Sequence, residues 1–150
     1  MVVKWLFRRF MGLQIYVYRR SGGKRMGRVR GMPVLILTTV GRKTGKKRVN
    51  PVVYIRDGTN YVVVAANNGA DEHPAWFLNL RGNPRITMEV DDKALHVIAH
   101  EASADEQARL WPQLVEKGRF FEGYKKKAKR DIPIVILEPA YSTAGGQGVS

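Results

Sequence analysis

A chain of 150 residues is enough for one domain with its own core, and the lack of any cysteine excludes disulfides, cysteine nucleophiles and thiolate metal sites. The net charge of +13 sits in the first third: residues 1–50 hold 14 basic residues and no acid, residues 51–100 hold 4 and 6, and residues 101–150 hold 8 and 7. Such asymmetry calls for an anionic partner: nucleic acid, a membrane surface, or a phosphorylated or polycarboxylate ligand.

In chain order, residues 2–20 read as an amphipathic helix with a broad apolar face and Arg8, Arg9, Arg19 and Arg20 around it. That pattern suits a helix packed on its own domain; a helix lying on an anionic membrane surface is the alternative. No run is apolar enough to span a bilayer, and Lys4, Arg8 and Arg9 interrupt any signal-peptide core. The expected location is the cytoplasm, with peripheral attachment to the inner membrane face through residues 1–20 as its variant.

Residues 21–32 are glycine-rich and basic, and read as a flexible or ligand-covering loop. Strands are predicted over Val34–Val40, Arg48–Ile55 and Asn60–Ala66, the last two joined by a turn containing Asp57-Gly58. A short helix is expected over Asp71–Leu80, with Asp71 or His73 near its cap and Pro74 in its first turn. Ile86–Val90 and Ala94–Glu101 form a hairpin across Asp91-Asp92. Ser103 to Glu106 is a capping box opening a helix toward Val115. Ile132–Leu137 is the last strand, and the tail 142–150 is expected to be disordered. Sequential hairpins with few helices argue for a small α+β barrel or sandwich; the βαβ alternation and GxGxxG of a dinucleotide-binding sheet are absent.

The segment from Gly41 to Pro51 is the richest in chemistry. It joins two predicted strands and carries five basic residues within Arg42–Arg48. Its glycines allow backbone amides to approach an anion, Thr44 adds a hydroxyl, and Lys and Arg give charge-assisted bonds to phosphate or carboxylate. It is not a P-loop: Gly41 and Gly45 are separated by three residues, no Ser or Thr follows Lys46, and a strand follows. His96 and His100 lie on a predicted strand, some ~13 Å apart at strand rise, and no metal site is expected.

The stretch Leu37–Pro84, LTTVGRKTGKKRVNPVVYIRDGTNYVVVAANNGADEHPAWFLNLRGNP, together with Arg130-Asp131-Ile132-Pro133-Ile134-Val135, resembles the deazaflavin-dependent nitroreductase and quinone reductase family. The resemblance covers roughly residues 5–139. It implies a split β-barrel over residues 21–141 that binds coenzyme F-420, an 8-hydroxy-5-deazaflavin, and passes hydride to a quinone, nitro compound or enone. By the same resemblance Arg42, Lys43, Thr44 and Arg48 hold the phosphate and polyglutamate tail. Pro51, Val52 and Val53 lie along the ring; Ala65, Ala66, Asn67, Asn68 and Gly69 form a loop at its other edge. Trp76 and Asn79 belong to the supporting helix. Tyr124 matches a substrate-pocket tyrosine and is the candidate proton donor.

The chain departs from that family in two ways. Ala66 stands where a Ser is frequent, and Gly118 and Phe121 stand where tyrosines are found. Those missing hydroxyls bear on nitro-compound reduction more than on cofactor binding. Two other readings stay open: the same barrel holding FMN or another flavin or tetrapyrrole, and a basic nucleic-acid-binding module. The basic turn lacks the interleaved aromatics that stack bases, which makes nucleic acid the weaker partner.

Overall fold

A computed structural model describes residues 2–24 and 27–140, excluding the side chains of residues 2–10; the tail 142–150 lies outside the described residues. Helix α1 spans Val2–Arg20, as its pattern predicts. Its last turn grips the domain. The Tyr18 hydroxyl, 2% exposed, accepts the Asp91 N–H at 2.8 Å, and Arg19 bonds both Glu89 carboxylate oxygens at 2.9 and 2.7 Å. Burial pushes the Tyr18 phenol up to about 12. Further back, Leu13 and Tyr16 remain exposed.

The stretch expected as a loop holds a hairpin instead. Strand β1 (Arg28–Val29) pairs antiparallel with β2 (Met32–Val40) across Arg30-Gly31. Both turn residues have positive φ, 52° and 81°, which two-residue hairpin turns of the tightest kind demand.

The run expected as one strand over Arg48–Ile55 divides at Tyr54. Before it, β3 (Lys47–Val53) pairs with β2; after it, β4 (Ile55–Asp57) pairs with β5 (Asn60–Val64). The sheet continues from β2 through β6 (Arg85–Val90), β7 (Lys93–Glu101) and β8 (Ile134–Pro139) to β5 and β4. β3, paired with β2 at one end of this path, and β4 at the other end are thus joined by the single residue Tyr54, and the sheet curls into a half-barrel. Pro51 sits within β3 without penalty because β3 pairs on one side only, with β2, so its missing N–H can face away from the ladder. β6 and β7 meet across Asp91-Asp92 as predicted.

Alternation along β8 shows why the sheet is buried on both faces. Val135 and Leu137 enter the barrel interior with Leu35, Val63, Phe77 and Met88, while Ile134 and Ile136 face a second cluster with Leu110, Leu114 and Phe121. Each such fully buried aliphatic side chain contributes about 1.5–3 kcal/mol. Helix α2 (Ala75–Gly82) plugs the interior through Trp76, Phe77 and Leu80. Helices α3 (Ala104–Lys117), opened by the expected capping box, and α4 (Phe120–Lys127) cover the other face.

Helix α2 starts at Ala75, later than expected, after an extended Pro74. Neither Asp71 nor His73 caps it. The Asp71 carboxylate accepts the Lys129 N–H at 3.2 Å, and His73 Nδ1 accepts from Arg130 Nη1 at 3.1 Å. Helix α4 was not anticipated; Phe120, Phe121 and Tyr124 form its aromatic face.

Candidate active site

The β2–β3 turn is shaped from within. Gly41 N–H bonds the Lys46 carbonyl and Gly45 N–H the Gly41 carbonyl, both at 2.8 Å. Thr44 Oγ1 accepts the Lys46 N–H at 3.2 Å. A Cβ on Gly41 would stand 2.9 Å from Thr44 Oγ1 and 3.1 Å from the Lys46 carbonyl oxygen, so a side chain there would push Thr44 aside. Asn79, 4% exposed, ties it to α2: its Oδ1 accepts the Arg42 N–H at 3.1 Å and its Nδ2 donates to Thr39 Oγ1 at 3.2 Å. Three turn amides are therefore engaged within the turn and a fourth, that of Arg42, by Asn79. What the turn offers an anion is chiefly side chains, with only the Lys43 and Thr44 amides of its backbone outside the bonds just described.

Those side chains line a groove of about 540 Å³, with Arg42, Lys43, Thr44, Lys47 and Arg48 on it and no acid. No ion pair joins any of these cations to a carboxylate among the described residues. The groove shares Met11, Arg42, Asn50 and Ala75 with a larger cleft of about 730 Å³. That cleft is walled by Pro51, Val52 and Val53 on one side and by Trp76, Leu78 and Phe121 on others.

The loop Ala65–Ala70 forms another wall and is held by Arg130. Its guanidinium donates to the carbonyls of Ala65 (3.3 Å), Ala66 (3.0 Å) and Ala70 (3.0 Å), and to His73 Nδ1. Burial first, then the Arg130 and Arg81 charges, hold the His73 imidazole below its ordinary range. The ring is neutral at neutral pH and, with Nδ1 accepting, carries its proton on Nε2. Asn67 and Asn68 both adopt positive φ, 48° and 55°, so the chain can turn within three residues. Ala66, Asn67 and Asn68 reach the cleft. Ala65 is fully buried and joins the interior core. Gly69 acts by close approach: a Cβ there would meet Tyr124 Cα at 3.1 Å.

At the far end Tyr124 stands edge-on to Phe120 and Phe121, with centroids 5.6 and 6.2 Å away. Its hydroxyl accepts a 2.8 Å bond from Arg30 Nη1 and donates to Asn68 Oδ1 at 3.2 Å. Gly118 is closely packed: a Cβ there would meet Met32 Sδ and the Phe120 ring at 2.8 Å, so a larger residue would require both side chains to move.

Thus Arg42, Lys43, Thr44, Arg48, Pro51, Val52, Val53, Ala66, Asn67, Asn68, Trp76, Asn79 and Tyr124 line two adjoining chambers, whereas Ala65 and Gly69 support them from behind. Arg30 and the clamping role of Arg130 were not read from sequence. The local signal for Arg30 is weak: Gly31 suits a hairpin turn, but Arg is not a favoured residue at the other turn position. A donor set of this kind, apolar walls opening on a groove of cations, fits a flat ring bearing a polyanionic tail.

Comparison with known proteins agrees. The family model for F420H(2)-dependent quinone reductase matches residues 10–139. A Mycobacterium tuberculosis F420H(2)-dependent quinone reductase is 33% identical over 146 residues, covering 91% of this chain and 97% of the relative. A second protein of that organism, provisionally named for the same activity, is 40% identical over 108 residues, covering 72% and 91%. The solved F420-H2 dependent reductase FDR-A superposes with a TM-score of 0.65 at 34% identity, over 71% of this chain and 94% of that one. The chain belongs to the F420H(2)-dependent quinone reductase family.

Proposed function

We propose that this chain, an F-420-dependent reductase with a quinone as acceptor, holds the deazaflavin ring in the apolar cleft along Pro51, Val52 and Val53. Ala66, Asn67 and Asn68 border the ring's other edge, and Arg42, Lys43, Thr44 and Arg48 take the phosphate and carboxylate tail. When bound and reduced, the cofactor supplies a hydride. The protein supplies orientation, exclusion of bulk water by Trp76, Phe121 and the Pro51–Val53 wall, and a proton from the Tyr124 hydroxyl. Quinone, hydride and proton together make the hydroquinone. The observation that carries this reading is the continuity of the apolar cleft with an acid-free basic groove. A shorter anion such as that of FMN would use fewer of the five basic residues, which favours F-420.

The test is a titration of the purified protein with reduced F-420, followed by fluorescence, then addition of menadione. Saturable binding and reoxidation are expected, with turnover by Tyr124→Phe slower by roughly a hundredfold. Binding of FMN or an oligonucleotide in place of F-420 at low salt would contradict the reading.

Exposed Leu13 and Tyr16 on α1, close to Arg19 and Arg20, favour a peripheral contact with an anionic membrane surface. No helix among the described residues is long and apolar enough to cross a membrane. The Leu13→Ser/Tyr16→Ser protein should sediment less with anionic liposomes than the parent; equal sedimentation removes the idea.

A further inference from the structure

Three charged side chains line the larger cleft: Arg30, Arg42 and Glu72. Arg42 also belongs to the basic groove, whereas Arg30 stands at the aromatic end. Its backbone is left-handed, φ 52°, in a turn position where Asn or Gly is the favoured choice. A non-glycine residue kept in that region is a cue to look for a function of its side chain. The Arg28 guanidinium bonds the Gly31 carbonyl and ties the turn from within, so Arg30 is not needed for that.

Arg30 holds its guanidinium carbon 5.0 Å over the Phe120 ring and 5.9 Å over the Tyr124 ring, and donates once, from Nη1 to the Tyr124 hydroxyl. Among the described residues this is its only side-chain hydrogen bond. Of the five N–H donors of a guanidinium, four are left for a ligand or water. The stack on Phe120 and the bond to Tyr124 orient the group before any ligand arrives, the condition under which a charge is most effective.

We propose that Arg30 binds the acceptor, donating an N–H to the quinone oxygen on which negative charge develops, with the acceptor ring against Phe120 and Phe121. The inference rests on the quinone-reductase reading above. In the reaction the hydride brings two electrons and one hydrogen to the neutral quinone, which is reduced as the cofactor is oxidised. The acceptor thereby becomes a hydroquinone anion, and a proton from Tyr124 or water converts it to the hydroquinone. A cation facing the oxygen interacts weakly with the neutral acceptor and strongly with the anion, so it favours the transition state over the ground state. Arg30 is thus a catalytic residue, and a selector for acceptors that become oxyanions.

Two measurements test this. The first is calorimetric binding of two probes to the protein loaded with oxidised F-420: menadione, which is neutral, and 2-hydroxy-1,4-naphthoquinone, which is an anion at neutral pH. The parent protein should bind the anion roughly tenfold more tightly, Arg30→Gln should lose that preference, and Arg30→Lys should keep part of it. The second is steady-state reduction of menadione. Arg30→Gln should lose about tenfold to a hundredfold in kcat/KM, with its affinity for F-420 unchanged within about twofold. Equal binding of the two probes by the parent overturns the proposal without recourse to any variant. So does an Arg30→Gln protein with parental kcat/KM, or one whose F-420 affinity falls in step with its activity. Failure of the parent itself to bind F-420 would instead overturn the reading on which the proposal rests.

Discussion

The two ends of the cleft are built on opposite plans. At the aromatic end the polar groups form a chain: Arg30 bonds Tyr124, Tyr124 bonds Asn68, and the Asn68 loop is held through three carbonyls by Arg130. At the basic end the backbone of the turn is fixed, but Lys43, Lys47 and Arg48 are exposed and without carboxylate partners among the described residues. A reacting ring and acceptor must be oriented to a fraction of an ångström, and that needs groups whose positions are set by other groups. A flexible polyanionic tail needs only to be attracted, and loose cations do that without a fixed geometry. Rigidity is therefore spent where the chemistry is.

The strongest way to break this contrast is Arg130→Met. Removing the guanidinium leaves the Ala65, Ala66 and Ala70 carbonyls without that donor, at about 1 kcal/mol or more each, so unfolding in urea should show a loss of about 2–4 kcal/mol. A loss under ~0.5 kcal/mol would mean the loop is held by other means. Next comes Asn79→Ala, which cuts the tie between α2 and the basic turn. It should cost about 1–2 kcal/mol and also weaken F-420 binding several-fold, since the cations lose their platform. A smaller effect is expected from Lys43→Ala/Arg48→Ala: stability unchanged within about 0.5 kcal/mol, with F-420 affinity reduced most at low salt.

The smallest effect concerns pH and again marks the interlocked end. His73 has a lowered folded pKa, so below its ordinary value of 6.5 the unfolded chain takes up a proton that the folded chain refuses. The His73 contribution to stability is full above 6.5 and declines as pH falls through that value toward the lower folded pKa. In His73→Asn the decline in urea midpoint between pH 7 and pH 5 should be shallower; an identical decline would show that His73 does not contribute to it.

Local patterns in the sequence carried the elements whose causes are local. The Asp91-Asp92 hairpin and the Ser103–Glu106 capping box are spelled within a few residues, and both form as spelled. The break at Tyr54 is not local. Composition stays β-branched across it, and the chain divides there because β3 pairs with β2 while β4 pairs with β5. Helix α4 was hidden because Lys125–Lys127 reads as a solvated run, although Phe120, Phe121 and Tyr124 already mark a helical face. The basic groove was legible from charge alone. The engagement of the Arg42 amide was not, since Asn79 reaches it across 37 positions. Arg30 and Tyr124, 94 positions apart, are joined only by the fold.

The most direct test of the two-chamber account compares intact F-420 with its tail-less deazaflavin riboside, each titrated into the parent protein and into Lys43→Ala/Arg48→Ala at low salt. The tail should add at least about tenfold to the affinity of the parent, and most of that increment should vanish in the variant while riboside binding stays unchanged. Equal weakening of both ligands, or an increment that survives the loss of both cations, would contradict the assignment of the ring to the cleft and the tail to the groove.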